Sequence, residues 1–342
     1  MVESLGRMSR AALVVAFGIS AGLVTDVSAG RPSVTWIVYD SFNGDYDLGD
    51  YLTKWNNGFG SGEMALDDTR EFDGSSFSVS ALPFQTAADF SVFDHIKYLA
   101  LSNQSFAVPE KGSVTFSTTI DATVAGTQPQ GRVIHGVYGG PGCADDPTCA
   151  ADAEPWEGVA LEGQQAGATL HMIDSATGQL FDWFVSGSAA FALVERLPAT
   201  VIGSPTGATR DTMYTQIVEE VAIGDGPHHV AITFFRNRRK SYAEFTLDGV
   251  RVARVDKVGV PLDAQDKAYT GTYPSLGTGE QLGSQIDSVT IGHGLFSLLD
   301  AFPFQHPDAP ELSVSIPISE RIFGQGAGAT FEDFVVTIDD RS

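Results

Sequence analysis

From Trp36 to its end the chain is cut into short runs that alternate apolar with polar residues or cluster the apolar ones, and helical periodicity is scarce. "TWIVYDSF", "SFSVSALPF", "GSVTFSTTI", "GRVIHGVYG", "ATLHMID", "QLFDWFVSG", "AFALVERL", "HHVAITFFR", "YAEFTLDG", "VRVARVD", "SQIDSVTIG" and "FEDFVVTID" are bounded by Gly, Pro, Asn or Asp. A period of two sends successive side chains to opposite faces, so each run suits a strand with one buried face. Many such strands without intervening helices predict an all-β antiparallel sandwich or barrel. No repeat and no break in composition divides the chain, so residues 30–342 are expected to form one domain.

Two hairpins can be placed by turn chemistry. Asp248-Gly249 sits between β-rich runs and matches a two-residue turn in which both φ angles are positive. Ser175–Gly178 turns "ATLHMID" onto "QLFDWFVSG". If residues 174 and 179 close that loop, His171 falls opposite Asp182, Met172 opposite Phe181 and Ile173 opposite Leu180. A one-residue bulge would undo this register.

The first residues follow another grammar. Arg7 and Arg10 precede the apolar run Ala11–Val24, and "VSA" ends at Ala29. A basic flank, a run of this length and small residues at its exit form a secretory signal over residues 1–29, and the run is too short to span a bilayer comfortably. A secreted, periplasmic or extracellular protein is expected, with no membrane span. Cys143 and Cys149, six apart in "GGPGCADDPTCA", then suit a small disulfide ring.

Charge narrows the partners. With 20 Lys and Arg against 43 Asp and Glu, the formal net charge is −23. Neutralising phosphate needs clustered cations, so nucleic acid is not an expected partner. The one basic run, "RNRRK" (Arg236–Lys240), lies between two strand-like runs and reads as a hairpin turn.

Three stretches carry a family resemblance. "YDSFNGDYDLGDYLTKWNNGFGSGE" resembles the opening strand and Trp-bearing loop of the concanavalin A-like lectin/glucanase jelly rolls. "DGPHHVAITFFRNRRKSYAEFTLDGVRVARV" (Asp225–Val255) is similar to their recurrent hairpin, and "TFEDFVVTIDD" (Thr330–Asp340) to their closing strand. The whole also resembles a group of uncharacterised bacterial secreted proteins on that fold. The resemblance implies a two-sheet jelly roll with ligands on its concave face or at the rim. It implies no reaction, because the fold hosts lectins, hydrolases, lyases and inert modules.

Hydrolases of this fold generally place two carboxylates on one strand face in a Glu-x-Asp-x-x-Glu or Glu-x-Asp-x-Glu run. The nearest fragment here, Glu71-Phe72-Asp73, is followed by Gly74, Ser75 and Ser76, which reads as a turn. His171 opposite Asp182 is the stronger candidate. It is either an imidazole oriented by a carboxylate for acid–base work or an ordinary cross-strand pair on a wet face. His135, Glu157 and Trp156 are expected to share that surface, with Trp156 as a stacking face. His95 and Tyr98, beside Asp94 and Lys97, form a candidate rim cluster, and His293 reads as a strand-end residue. The Pro-Phe-Gln echo at residues 83–85 and 303–305 suggests one mouth, with Phe84, Gln85, Phe304, Gln305 and His306 around it. Asp145, Asp146 and Asp152 are candidate calcium ligands, because calcium takes six to eight oxygens. No other cofactor is indicated.

The function expected first is glycan binding or processing on the concave face, with a carbohydrate ligand. An enzyme acting on a small hydrophobic molecule in a Phe-lined cleft, and a structural surface protein without ligand, are the alternatives. An acid-lined groove with an exposed Trp would favour the first. A deep Phe-lined pocket with a single buried His would favour the second, and a filled concave face with no cleft the third.

Overall fold

The strand β6 (Gly112–Ala125) shows how the alternation is used. Val114, Phe116, Thr118 and Ile120 are buried, while Ser113, Thr115, Ser117, Thr119 and Asp121 between them are partly open to solvent. A strand of this pattern needs a second layer over its apolar face. In the computed structural model, which describes residues 32–56, 69–85, 96–138, 156–199, 206–209, 212–266, 278–299 and 314–341, that layer is a second antiparallel sheet.

The first sheet, in spatial order, consists of β15 (Val250–Val255), β14 (Ser241–Leu247), β13 (His228–Arg236), β6, β18 (Gly326–Asp340), β4 (Phe77–Ala81) and β3 (Thr69–Phe72), with β1 (Ser33–Asp40) also pairing with β18. The second sheet runs β12 (Tyr214–Ala222), β11 (Ala189–Arg196), β10 (Gln179–Val185), β9 (Gly167–Asp174), β16 (Ser288–Phe296), β5 (Ile96–Ala107) and β2 (Trp55–Asn56). A small third sheet joins β17 (Val314–Ser315), β7 (Arg132–Tyr138) and β8 (Trp156–Ala160). Three short helices are described: α1 (Leu48–Lys54), α2 (Glu162–Gln165) and α3 (Ile318–Arg321).

The connectivity is that of a jelly roll. Strands β4, β5 and β6 alternate between the two large sheets, and they pair with β18, β16 and again β18 from the other end of the chain. The protein is therefore an all-β, two-sheet antiparallel sandwich of the lectin/glucanase type. Pro32–Ser342 forms one compact unit.

The core between the sheets is aromatic. Trp183 of β10 donates its indole N–H to the Ala231 carbonyl of β13 at 3.0 Å, a direct bond from one sheet to the other. Phe181 stacks on Phe234. A second anchor lies in the opening stretch, where Asp47 and Asp50 form a capping box that starts α1. The buried Asp40 carboxylate accepts from Lys54 Nζ at 2.8 Å, Trp55 Nε1 at 2.8 Å and the Tyr46 hydroxyl at 2.6 Å. The stretch read as a Trp-bearing loop is thus a helix clipped to the sandwich through one carboxylate.

Both placed hairpins are present. Asp248 and Gly249 have φ of 49° and 76°, and Leu247 pairs with Val250. Arg236–Lys240 connects β13 to β14 as expected. Residues 96–98, read as part of a rim loop, instead begin the twelve-residue strand β5. Its first five residues are all buried, so no alternation announces it. The proposed signal (residues 1–29), the cysteines Cys143 and Cys149, the calcium candidates Asp145, Asp146 and Asp152, and His95, Phe304, Gln305 and His306 all lie outside the described residues.

Candidate functional site

The Ser175–Gly178 turn sets the register of the site. Gly178, at φ 75°, returns its N–H to the Asp174 carbonyl at 2.9 Å, and the Asp174 carboxylate accepts from the N–H groups of Ala176 and Thr177. Residues 174 and 179 therefore pair, and the pairing continues through Ile173–Leu180 and Met172–Phe181 to His171–Asp182. Met172, Leu170, Phe181 and Trp183 enter the sandwich core. His171 and Asp182 face the other way, onto the outer side of the second sheet, the side expected to be concave.

Three rows cross that side. The first is Gly294, Thr169, Phe184 and Phe191, the second Gly292, His171, Asp182, Leu193 and Ile217, the third Thr290, Ile173, Leu180, Glu195 and Thr215. Except for Thr290 and the two glycines, whose role is backbone approach, every side chain in these rows is buried, none more than 8% exposed. Phe296 lies 4.8 Å from the His171 ring and 5.8 Å from Phe184, which stacks on Phe191 at 5.1 Å. Ile96, Leu99 and Leu298 extend this apolar cluster. A concave face expected to be half wet is a second hydrophobic core.

The polar groups inside it are few and connected. His171 Nδ1 and Asp182 Oδ1 are 2.6 Å apart, and His171 Nε2 lies 2.6 Å from Thr169 Oγ1. Thr215 donates to Glu195 Oε1 at 2.8 Å. Glu195 and Asp182 sit on adjacent strands in a diagonal relation, because Leu180 faces Glu195 and Asp182 faces Leu193. Asp182 Oδ2 has no hydrogen-bond partner among the described residues.

Burial sets the protonation of this cluster. It lowers His171 to about 3 and lifts Asp182 well above the usual carboxylate range. It raises Glu195 to about 8, with nearby Asp182 adding to the shift. The pair therefore holds one proton in its neutral form at pH 7. The Asp182 carboxylic O–H donates to Nδ1, and Nε2–H donates to Thr169 Oγ1. Of these groups Glu195 alone titrates near neutrality, while the His171–Asp182 pair stays in its neutral form. The wet-face reading of His171–Asp182 does not hold, because neither side chain reaches water.

The other candidates fall elsewhere. His135 and Glu157 do face each other, but on β7 and β8 of the small third sheet. Both are exposed, and His135 lies 3.4 Å from Glu157 and 3.1 Å from Glu320, which together raise its pKa. They are not part of the His171 cluster. Trp156 stands on β8 opposite Gly136.

Tyr98 is buried between the sheets rather than on a rim. Its hydroxyl lies 2.5 Å from that of Tyr51, which lies 2.8 Å from His293 Nε2. His293 is inside β16, pointing into the core, and not at a strand end; burial holds its pKa far below the usual value. Phe84 is likewise in the core, because its N–H bonds the Gln325 carbonyl at 2.7 Å and draws the segment against the start of β18. Gln85 beside it is exposed, and its carbonyl accepts from Lys97 Nζ. Asp73 is the turn residue expected, accepting from Ser75 and Ser76, which holds its carboxyl at about 2. Among the described residues no three His, Cys, Asp or Glu side chains are grouped to hold a metal, and no helix is long and apolar enough to cross a membrane.

Glu195 and Thr169 were not expected in the site. The only sequence signal for them was alternation: Thr169 is two residues from His171, and Phe191, Leu193 and Glu195 share a face of β11. Gly292 and Gly294 flank the inward His293 for a visible reason. A Cβ at Gly292 would lie 2.6 Å from Leu101 Cδ2, and one at Gly294 would lie 2.3 Å from the Tyr98 carbonyl oxygen.

Fold and site together define a jelly-roll sandwich with a buried His171–Asp182–Glu195 cluster on the outer side of its second sheet. The chain belongs to a family of unknown function (DUF6081), whose model matches residues 152–340 and so spans His171, Asp182 and Glu195. No curated protein matches the sequence. Among solved structures it is similar to an endo-1,3-beta-glucanase from Streptomyces sioyaensis, at 11% identity and TM-score 0.42 over 93% of this chain and 100% of that one. It is similar to beta-agarase B from Zobellia galactanivorans, at 10% identity and TM-score 0.40 over 91% and 96%. It is also similar to a legume lectin-like domain from Entamoeba histolytica, at 6% identity and TM-score 0.37 over 87% and 96%. At these scores the likeness adds nothing to what the strand order of this chain already establishes.

Proposed function

We propose that the protein is exported and that its concave face is an acid–base site for a small, largely apolar molecule. The observation that carries this reading is the connected set Thr169–His171–Asp182 beside Glu195, sealed among Phe184, Phe191, Phe296, Leu193 and Ile217. An isolated structural pair would gain nothing from a second protonated carboxyl next to it. Glu195 is the proton donor of the set, since a carboxyl raised to about 8 is still protonated at pH 7 and close to its own titration point. Asp182, by donating to Nδ1, holds His171 in the Nε2–H tautomer, so the imidazole orients Thr169 rather than acting as a base. A sugar chain prefers hydroxyl-rich, hydrated walls, and the apolar lining here suits an aliphatic or aromatic ligand better.

The test is affinity selection of a small-molecule library by the wild-type protein and by Glu195→Gln, read by mass spectrometry. Apolar molecules of low mass are expected to be retained by both proteins. Those that are chemically changed should be changed by the wild type alone. Retention restricted to polar oligosaccharides, or identical turnover by both proteins, would overturn the reading. A glycan-related role also has support, and the surface that favours it is on the opposite side of the sandwich.

A further inference from the structure

The outer face of the first sheet carries two features that a merely solvated face does not require. On β1, Val34, Trp36 and Val38 point outward and are 56%, 73% and 61% exposed. Alternate residues Ile37 and Tyr39 turn into the core, so the indole plane is left to solvent by the strand's own alternation. A continuous apolar stripe at this exposure marks a contact surface. The second feature is a depression of about 270 Å³ over β3, β4, β18 and β6. Asp121, Thr330, Ser78 and Glu71 form one row across its floor, each directly opposite the next. Gly328 interrupts the neighbouring row between Thr123 and Ser80, and the missing side chain lowers the floor there.

Asp121 and Thr123 also line an adjoining depression of about 300 Å³ that continues to Ser186, Ser188 and Asp225. Hydroxyls and carboxylates dominate both linings, and neither contains a Lys or Arg. Trp36 is joined to this groove by the ladder itself. It pairs with Thr337, Thr337 with Thr115, and Thr115 lies six residues along β6 from Asp121. That is about 20 Å at roughly 3.3 Å per residue.

We propose that this face is a binding track for a linear polysaccharide bearing free amino groups, such as a glucosamine-rich chain. Trp36 stacks on one sugar ring while the groove receives hydroxyls and ammonium groups. The exposed ring supplies the apolar platform that a sugar face requires, and the Ser and Thr hydroxyls both donate and accept. Glu71, Asp121 and Asp225, without a lining cation, select a positive ligand over a neutral or acidic one. Most of the floor lies over β6, β18 and β4, whose backbone N–H and C=O groups are consumed by the ladder, and it reaches the edge strand β3 only at Thr69 and Glu71. An extended basic peptide, which gains its affinity from main-chain bonds at a sheet edge, finds few such groups along this floor. The track shares no residue with the concave-face cluster, so it stands or falls independently of that site.

The test is retention of the full chain on immobilised chitosan, on fully N-acetylated chitin and on polygalacturonate, with poly-lysine as a competitor. Salt-sensitive retention on chitosan alone is expected, with poly-lysine a weak competitor. Trp36→Ala leaves the net charge unchanged and should weaken retention about tenfold, and Glu71→Gln with Asp121→Asn at least as much. Because the chain is strongly acidic, Glu110→Gln with Asp266→Asn, an exposed pair outside the groove, serves as the charge control and should bind like wild type. Equal losses in the groove and control variants, an unaffected Trp36→Ala, equal retention on chitin, or full displacement by poly-lysine would each overturn the proposal. Circular dichroism of each variant separates loss of the site from loss of the fold.

Discussion

Replacing Asp182 by Asn tests the electrostatic account of the concave cluster directly. In the neutral form the Asp182 O–H donates to His171 Nδ1 across 2.6 Å. An amide N–H can make the same donation from nearly the same place. The hydrogen bond itself should therefore change by about 1 kcal/mol or less. At pH 7 the exchange also removes the cost of protonating a carboxyl that the unfolded chain holds ionised, about 4 kcal/mol from a reference pKa of about 3.9. Asp182→Asn should then stabilise the protein by roughly 3 kcal/mol. Were the pair instead an imidazolium facing a carboxylate, the same change would break a buried ion pair and cost about 3–5 kcal/mol.

The pH dependence gives a second readout with a definite sign. Between about pH 4 and 6.5 the unfolded chain binds one proton on this pair, at His171, and the folded chain also binds one, at Asp182, so the wild-type contribution is flat. Above pH 6.5 the unfolded His171 loses its proton while the folded pair keeps its own, and stability falls as pH rises. Asp182→Asn removes the folded-state proton. Its advantage over the wild type should then shrink on acidification from pH 7 toward pH 4, by about 1.4 kcal/mol per unit, because only the wild-type unfolded chain has the Asp182 carboxylate to reprotonate. Urea unfolding at pH 5, 6 and 7, with m-values checked for constancy, measures both quantities. A loss above about 3 kcal/mol at pH 7, or an advantage over the wild type that does not shrink toward pH 5, would refute the reasoning.

Glu195→Gln should flatten the wild-type loss of stability between pH 4.5 and 8. The folded carboxyl keeps a proton that the unfolded one has lost, a difference on the order of 5 kcal/mol across that window; urea midpoints at pH 5 and 8 measure it. Asp40→Ala strands the buried Trp55 indole N–H and releases α1, and should cost about 3 kcal/mol, read by urea denaturation followed through tryptophan fluorescence. Gly112→Ala, at φ 146° with the new Cβ only 1.8 Å from the Asp339 carbonyl oxygen, should lower the melting temperature far more than Gly226→Ala. The latter is also at positive φ, 99°, but has open space around it and should cost only about 1 kcal/mol. Comparable losses in the two glycine variants would contradict the steric account.

Several parts of this protein were legible before any coordinates. Strand runs follow from a period-two pattern, and the His171–Asp182 register follows from counting outward from a four-residue turn. Both are local, since each depends on residues a few positions apart. The burial of the concave face was not legible, because alternation shows that a strand has two faces and not whether a second layer covers the wetter one. The same limit hid β5, whose opening residues are buried on both sides, and Glu195, whose role depends on a diagonal neighbour on another strand. Asp40, inside the first strand run, gave no sign in the sequence of being buried until Lys54, Trp55 and Tyr46 converged on it. Alternation and turn chemistry alone determined where strands lie and how the hairpins pair. The tertiary structure decided which polar groups lose water, and with that the protonation of the His171 cluster, because desolvation depends on everything packed around a group rather than on its neighbours in the chain.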